Sequence, residues 1–232
     1  MPTRQKRVTF CGAGLLSFVS ALTAAVALGT PFWVEGSLLC KTGAQLVNAS
    51  GAELDKFIGG IRYGMFHGQR LRECGLGGRS FQITFFPTLL DAIPASLHVS
   101  VILFSGAVIV FALVAAGFFM FNAFGRPYET LHGPMGLYLW NTIACSCGFM
   151  VMILFTSEVK IHRLSEKIAN YKEGNFVFKT HTETVGYSFW LVFACAIMHC
   201  INILLIRLSG IQFPFSKSKN TDSGDGGADL MY

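Results

Sequence analysis

The chain has 232 residues, 52% hydrophobic and only 13% charged, with a formal net charge of +5. An average soluble domain carries about 25% charged residues, so this composition excludes an ordinary water-soluble protein. The 18 basic residues are spread along the whole chain and form no stripe, which excludes a nucleic-acid surface.

Four stretches contain no Asp, Glu, Lys or Arg: Val8–Val34, Ala92–Gly125, Thr130–Ser157 and Thr184–Ile206. A hydrocarbon core about 30 Å thick needs roughly 20 apolar residues in a helix. Backbone amides in lipid must also bond within their own segment. The fold class expected is therefore an all-α membrane protein whose four transmembrane helices, at 8–34, 97–121, 134–157 and 184–206, are solvated by membrane lipids.

The N-terminal segment 1–7 carries Arg4, Lys6 and Arg7. A basic start followed by an apolar run also describes a secretory signal, with Ala25-Val26-Ala27 as the cleavage site. The run outlasts a 7–15-residue signal core and continues to Trp33, so it reads as an uncleaved helix. Within it Ala13, Ser17, Ala21, Ala25 and Gly29 recur every fourth residue, the small-xxx-small spacing that lets helices approach closely in lipid. That row suits a right-handed crossing.

Segment 35–91 holds Asn48-Ala49-Ser50, the one N-x-[ST] glycosylation triplet of the chain. Cys40 and Cys74 share the segment, and a bridge between them persists only on the oxidising side of a membrane. Three basic residues crowding the start of the first span favour a cytoplasmic N-terminus. Together these place segments 35–91 and 158–183 outside the cell, with the termini and the 122–133 connector inside. Ser80–Phe86 alternates, with Phe81, Ile83 and Phe85 on one side, and predicts a strand. Gly59-Gly60 and Gly77-Gly78 predict turns, and Pro94 suits the start of the second helix.

No carboxylate, Lys or Arg lies within the core of a span. The polar candidates are His98, His132 and His199, with Asn141 and Asn202. His98 and His132 sit near helix ends, as interfacial residues do. His199 and Asn202 are three apart on one helix and predict interhelical hydrogen bonds. Cys145-Ser146-Cys147 is CxC rather than CxxC, and its two side chains point about 200° apart on a helix. With no HExxH, GxSxG or P-loop, no catalytic, cofactor-binding or metal-ligating residues are expected.

Beyond the third span, Ile161, Leu164, Ile168 and Tyr171 keep helical spacing, predicting a helix that projects three turns past the membrane and stops at Gly174. Residues 175–180 predict a strand that joins a sheet begun by segment 35–91. The tail 207–232 is polar and rich in Gly, Ser and Asp, as disordered segments are. It ends Leu230-Met231-Tyr232, which fits strand addition to a PDZ groove of a scaffold protein.

This layout resembles the claudin-like tetraspan fold, and Thr30-Pro31-Phe32-Trp33 resembles its Pro-x-Trp turn. The GLW-C-C signature of claudins is missing. Closer blocks are CKTGAQLVNASG (40–51), FHGQRLRECGLGGR (66–79), NAFGRPYETLHGPMGLYL (122–139), EVKIHRLSEKIANYKEG (158–174), and FPFSKSK with the terminal ADLMY. These are similar to the clarin family, and within it to the clarin-2 branch. The resemblance implies a non-enzymatic organiser or adhesion protein of the sensory hair-cell membrane, acting in stereocilia, in actin-linked assembly and in hearing. Its partners would be membrane or extracellular proteins bound through segments 35–91 and 158–183. The alternative from the residues themselves is an auxiliary subunit of a channel or transporter, motivated by His199 and Asn202 and by the multi-span architecture.

Overall fold

A computed structural model describes residues 4–125 and 133–209. In chain order the elements are α1 (Arg4–Gly29), β1 (Val34–Cys40), α2 (Lys41–Leu46), a 3-10 turn (Gly51–Phe57), β2 (Ile58–Tyr63), β3 (His67–Arg72) and β4 (Arg79–Thr84). Then follow α3 (Ala95–Phe124), α4 (Pro134–Lys160), α5 (Leu164–Asn170), β5 (Phe178–Val185) and α6 (Tyr187–Leu208). The helices α1, α3, α4 and α6 are long and apolar enough to cross a membrane, so the chain is a multi-pass membrane protein. His132 and the terminal Leu230, Met231 and Tyr232 lie outside the described residues.

The four long helices share one burial rhythm. Buried positions run Phe10, Ala13, Ser17, Ser20, Ala24 and Ala27 on α1. On α6 they run Ser188, Val192, Cys195, His199, Asn202 and Ile206. Steps of three and four alternate likewise on α3 from His98 to Asn122. On α4 the series is Leu137, Asn141, Ala144, Gly148, Val151, Phe155 and Glu158. A mean of 3.5 residues stays on one face only in a left-handed bundle. This corrects the crossing expected from the fourth-residue row. Ala13, Ser17 and Ala21 are inside, but Ala25 and Gly29 are exposed, because each fourth-residue step overshoots a full turn by about 40°. Gly14 marks the close approach of α1 to α3: a Cβ there would stand 3.1 Å from the Cβ of Phe119.

One end of the bundle is capped by a five-stranded antiparallel sheet in the order β4-β3-β2-β1-β5. Segment 35–91 supplies four strands and segment 158–183 the main part of the fifth. Val34 faces Tyr63, Tyr63 faces Gly68 and Gly68 faces Ile83, so this row crosses the inner side of four strands. Its neighbours Leu38, Ile61 and Phe178 pack with Leu164 and Ile168 of α5 and with Val101, Val151 and Phe155 of the bundle. Cap and bundle therefore share one apolar core.

Several boundaries differ from expectation. Gly59 and Gly60 form no turn but lie within β2, because a Cβ on Gly59 would meet the Leu71 carbonyl oxygen at 2.1 Å. The predicted strand at 80–86 is β4, with Ile83 and Phe85 buried; Phe81 is 46% exposed because β4 is a sheet edge. The third long helix does not project as one rod. It ends at Lys160, Arg163 takes a left-handed conformation (φ 49°), and α5 restarts at Leu164. That break lets Leu164 and Ile168 enter the core while Ile161 stays 73% exposed. Asn170, not Gly174, closes α5: its side chain donates to the Phe178 carbonyl at 3.0 Å and accepts the Phe178 amide at 2.8 Å. The strand runs 178–185 rather than 175–180, so α6 starts at Tyr187, and α1 stops at Gly29 to free Val34 for β1. Pro94 precedes α3 as expected.

Candidate functional site

The cap is seated on the bundle by side chains that sequence reading placed elsewhere. Trp33, fully buried, donates its indole N–H to the Ala27 carbonyl at 2.7 Å and meets Phe155 edge-on at 4.9 Å. It fixes the corner where α1 becomes β1. His98, expected at the lipid interface, is instead fully buried. Its ring stacks on Phe85 at 4.5 Å. Nε2 lies 2.8 Å from the Met65 carbonyl and Nδ1 lies 2.9 Å from Glu158 Oε1. A carbonyl only accepts, so Nε2 carries a proton. Nδ1 then either donates to a carboxylate or accepts from a carboxylic acid; both arrangements hold two protons and no net charge. The pair ties the start of α3, the end of α4 and the β2–β3 turn together.

Glu158 is the residue sequence reading missed. The charge-free stretch ends at Ser157, which assigned Glu158 to the outer connector, yet it is a buried residue of α4. One signal could have found it: Val151, Phe155 and Glu158 continue the four-then-three rhythm of the buried face.

Two further networks hold the second connector to the first. Tyr63 donates to Ser165 Oγ at 2.9 Å, Ser165 donates to Glu183, and Lys160 donates to Glu183 Oε2 at 3.0 Å. Burial pushes the Tyr63 hydroxyl well above its ordinary range, so it remains a donor. Glu173 accepts Arg70 at 2.7 Å and Arg72 at 3.1 Å, while the two guanidinium groups lie over Phe178 and Phe176. Burial lowers the Arg70 pKa, and the Glu173 carboxylate offsets that effect.

Cys40, fully buried, and Cys74, partly buried, form a disulfide across a separation of 34 residues. Asn48 is exposed, follows α2 and takes a positive φ of 48°. Near the disulfide Leu46, Val47 and Leu76 are exposed, Leu76 to 93%. The sheet's other face carries the Ser37–Thr182 hydrogen bond at 2.6 Å, and the Glu35–Arg62 pair at 2.9 Å beside a depression of about 350 Å3.

Within the bundle, the polar residues of three helices meet. His199 Nδ1 lies 2.9 Å from Asn141 Oδ1, and Nε2 lies 3.1 Å from Ser20 Oγ. Asn202 donates to Ser17 Oγ at 2.8 Å and reaches Asn141 Oδ1 at 3.3 Å. Asn141 Oδ1 only accepts, so His199 carries its proton on Nδ1 and accepts from Ser20. The predicted pair His199 and Asn202 is thus an interhelical bracket between α1, α4 and α6. Replacing Asn141 with Leu strands two donors, and denaturant titration in micelles should show a loss of about 1–2 kcal/mol. Cys145 Sγ stands 3.1 Å from Cys200 Sγ rather than near Cys147. Among the described residues no three His, Cys, Asp or Glu gather as metal ligands do.

A family model described as Clarin-2-like matches residues 5–206. The chain belongs to the clarin family. This clarin is 60% identical to human clarin-1 and 41% identical to mouse clarin-2, each over the whole of both chains. It is 31% identical to rat clarin-3 over 83% of its own length and 81% of that protein. The expected likeness to the clarin-2 branch is therefore corrected, since the identity to clarin-1 is higher. The architecture of this clarin is the claudin-like tetraspan: four spanning helices under one small sheet.

Proposed function

We propose that this clarin is a non-enzymatic organiser that assembles membrane complexes through protein contacts at its sheet cap. The observation that carries the reading is the cap itself. Both connectors build one sheet, three buried polar networks hold it, and its outer face is left open to solvent. A preorganised platform loses little entropy on binding, which favours recognition. In this reading the sheet faces outward at the plasma membrane of sensory hair cells, in stereocilia, and serves actin-linked organisation and hearing. The tail Leu230-Met231-Tyr232 would meet a PDZ scaffold inside. Crosslinking followed by co-purification from hair-cell membranes should recover a defined set of proteins, and their loss on Leu71→Glu would map contact to the outer face. Recovery of the chain alone would overturn the reading. The rival role as a channel or transporter subunit keeps the multi-span architecture as its motive, while His199 and Asn202 are engaged in hydrogen bonds between helices.

Orientation has its own test. Asn48 is exposed and lies 19 residues past Gly29, the last residue of α1, which leaves it clear of the membrane. Peptide N-glycosidase should lower the apparent mass of the wild type and leave Asn48→Gln unchanged. Glycosylation of a triplet engineered into the C-terminal tail would invert the topology.

A further inference from the structure

Two hollows meet where α4 gives way to α5. The first, about 610 Å3, is an apolar groove walled by Phe149, Met152, Ile153 and Phe189, with Thr156, Ser157 and Lys160 at its polar end. The second, about 430 Å3, is polar and lined by His162, Arg163, Glu166, Lys167 and Asn170. Ile161 is a wall of both, so the two adjoin.

Their height in the membrane follows from neighbouring aromatics. Tyr187 and Trp190, in the first turn of α6, are 75% and 54% exposed, as interface-anchoring rings are. The groove therefore faces acyl chains, and the polar hollow stands at the level of lipid headgroups.

Charge selects the occupant. Among the described residues, Lys160 and Arg163 each pair with one carboxylate, Glu183 and Glu166. Glu183 takes Lys160 at 3.0 Å, and Glu166 holds Arg163 loosely at 3.7 Å while accepting the Thr180 amide. No partner is found for the side chains of Lys167 and His162 among the described residues, and the hollow keeps a surplus positive charge. Arg163 is 72% exposed at its side chain despite a φ of 49°. A non-glycine residue held at positive φ is strained, and such strain gathers at ligand clamps. A guanidinium fork beside an ammonium matches a phosphate.

We propose that this site binds one anionic glycerophospholipid from the leaflet on the sheet side. The phosphate sits between Arg163 and Lys167, and an acyl chain fills the α4–α6 groove. A sterol would occupy the groove and leave the cations unanswered. The proposal goes beyond the organiser reading and stands without it.

The test uses the full-length protein in nanodiscs of phosphatidylcholine with added phosphatidylglycerol and cholesterol, released for native mass spectrometry with and without inorganic phosphate. Wild type should retain one phosphatidylglycerol. Arg163→Gly keeps the backbone conformation, relieves its strain and removes the cation; retention should fall about fivefold, and about 25-fold when Lys167→Gln is added. Ile153→Trp, which fills the groove from the other end, should lower retention without touching a charge. Thermal unfolding of Arg163→Gly at or above the wild-type midpoint shows that the fold is kept. Unchanged retention in the double variant, retention of cholesterol instead of the phospholipid, or equal displacement by inorganic phosphate would each overturn the proposal.

Discussion

Replacing Glu158 with Ala will lower the unfolding free energy of the solubilised protein by about 3–5 kcal/mol, the usual cost of breaking a buried pair. His98 and Glu158 are both fully buried, and Glu158 Oε2 already has no partner among the described residues. Truncation leaves Nδ1 of His98 facing a cavity while Nε2 stays bound to Met65. Glu158→Gln has a milder effect, about 1–2 kcal/mol, since its amide can donate to Nδ1. The measurement is protease resistance of the cap and thermal unfolding in one detergent. Equal losses for Ala and Gln would show that neither side-chain volume nor an amide hydrogen bond replaces the carboxyl group at this position. Loss should appear first as cutting within segment 35–91, because the pair anchors the β2–β3 turn to the bundle.

Removing the disulfide should have the second large effect. A bridge closing a loop of about 35 residues contributes about 3–4 kcal/mol in the chain-entropy model. Cys40→Ser also places a hydroxyl in a fully buried position beside Gly43 and Phe57. The protein should then be retained in the endoplasmic reticulum, seen as a glycan on Asn48 that stays sensitive to endoglycosidase H. Cys74→Ser should match it, and the double variant should add little, since both changes remove one bond. Normal surface delivery of either single variant would remove the disulfide from the account of cap stability.

How much of this was legible beforehand depends on the solvent each residue meets. Lipid makes a harsh demand on every residue of a span, so four charge-free stretches were enough to place four helices. The same criterion misplaced their ends: Val34 and Val185 are apolar because they face the cap core, not lipid. The strands were harder. His67–Arg72 has a single large apolar residue, Leu71, yet it is a strand, and Arg70 is inside because Glu173, 103 residues later, answers its charge. Nothing in the local pattern announces a partner that distant. Glycines misled for a related reason, since Gly59 is chosen by a neighbouring carbonyl and not by a turn. His98 failed likewise, its partner Glu158 being 60 residues away. The bracket of His199 and Asn202 was visible because both lie on one helix at helical spacing.

The sheet order also sets a timetable for biosynthesis. Strand β1 lies between β2 and β5, and its contact with β5 spans 145 residues between Ser37 and Thr182. Once Cys74 has been made, about a hundred more residues must follow before β5 exists. At cellular synthesis rates that interval is roughly 5–20 s. Throughout it β1 offers an unpaired edge, a template on which another strand can pair. A message that stops between Asp91 and Phe178 therefore leaves the sheet of the first connector incomplete, even though every residue of that connector has been made.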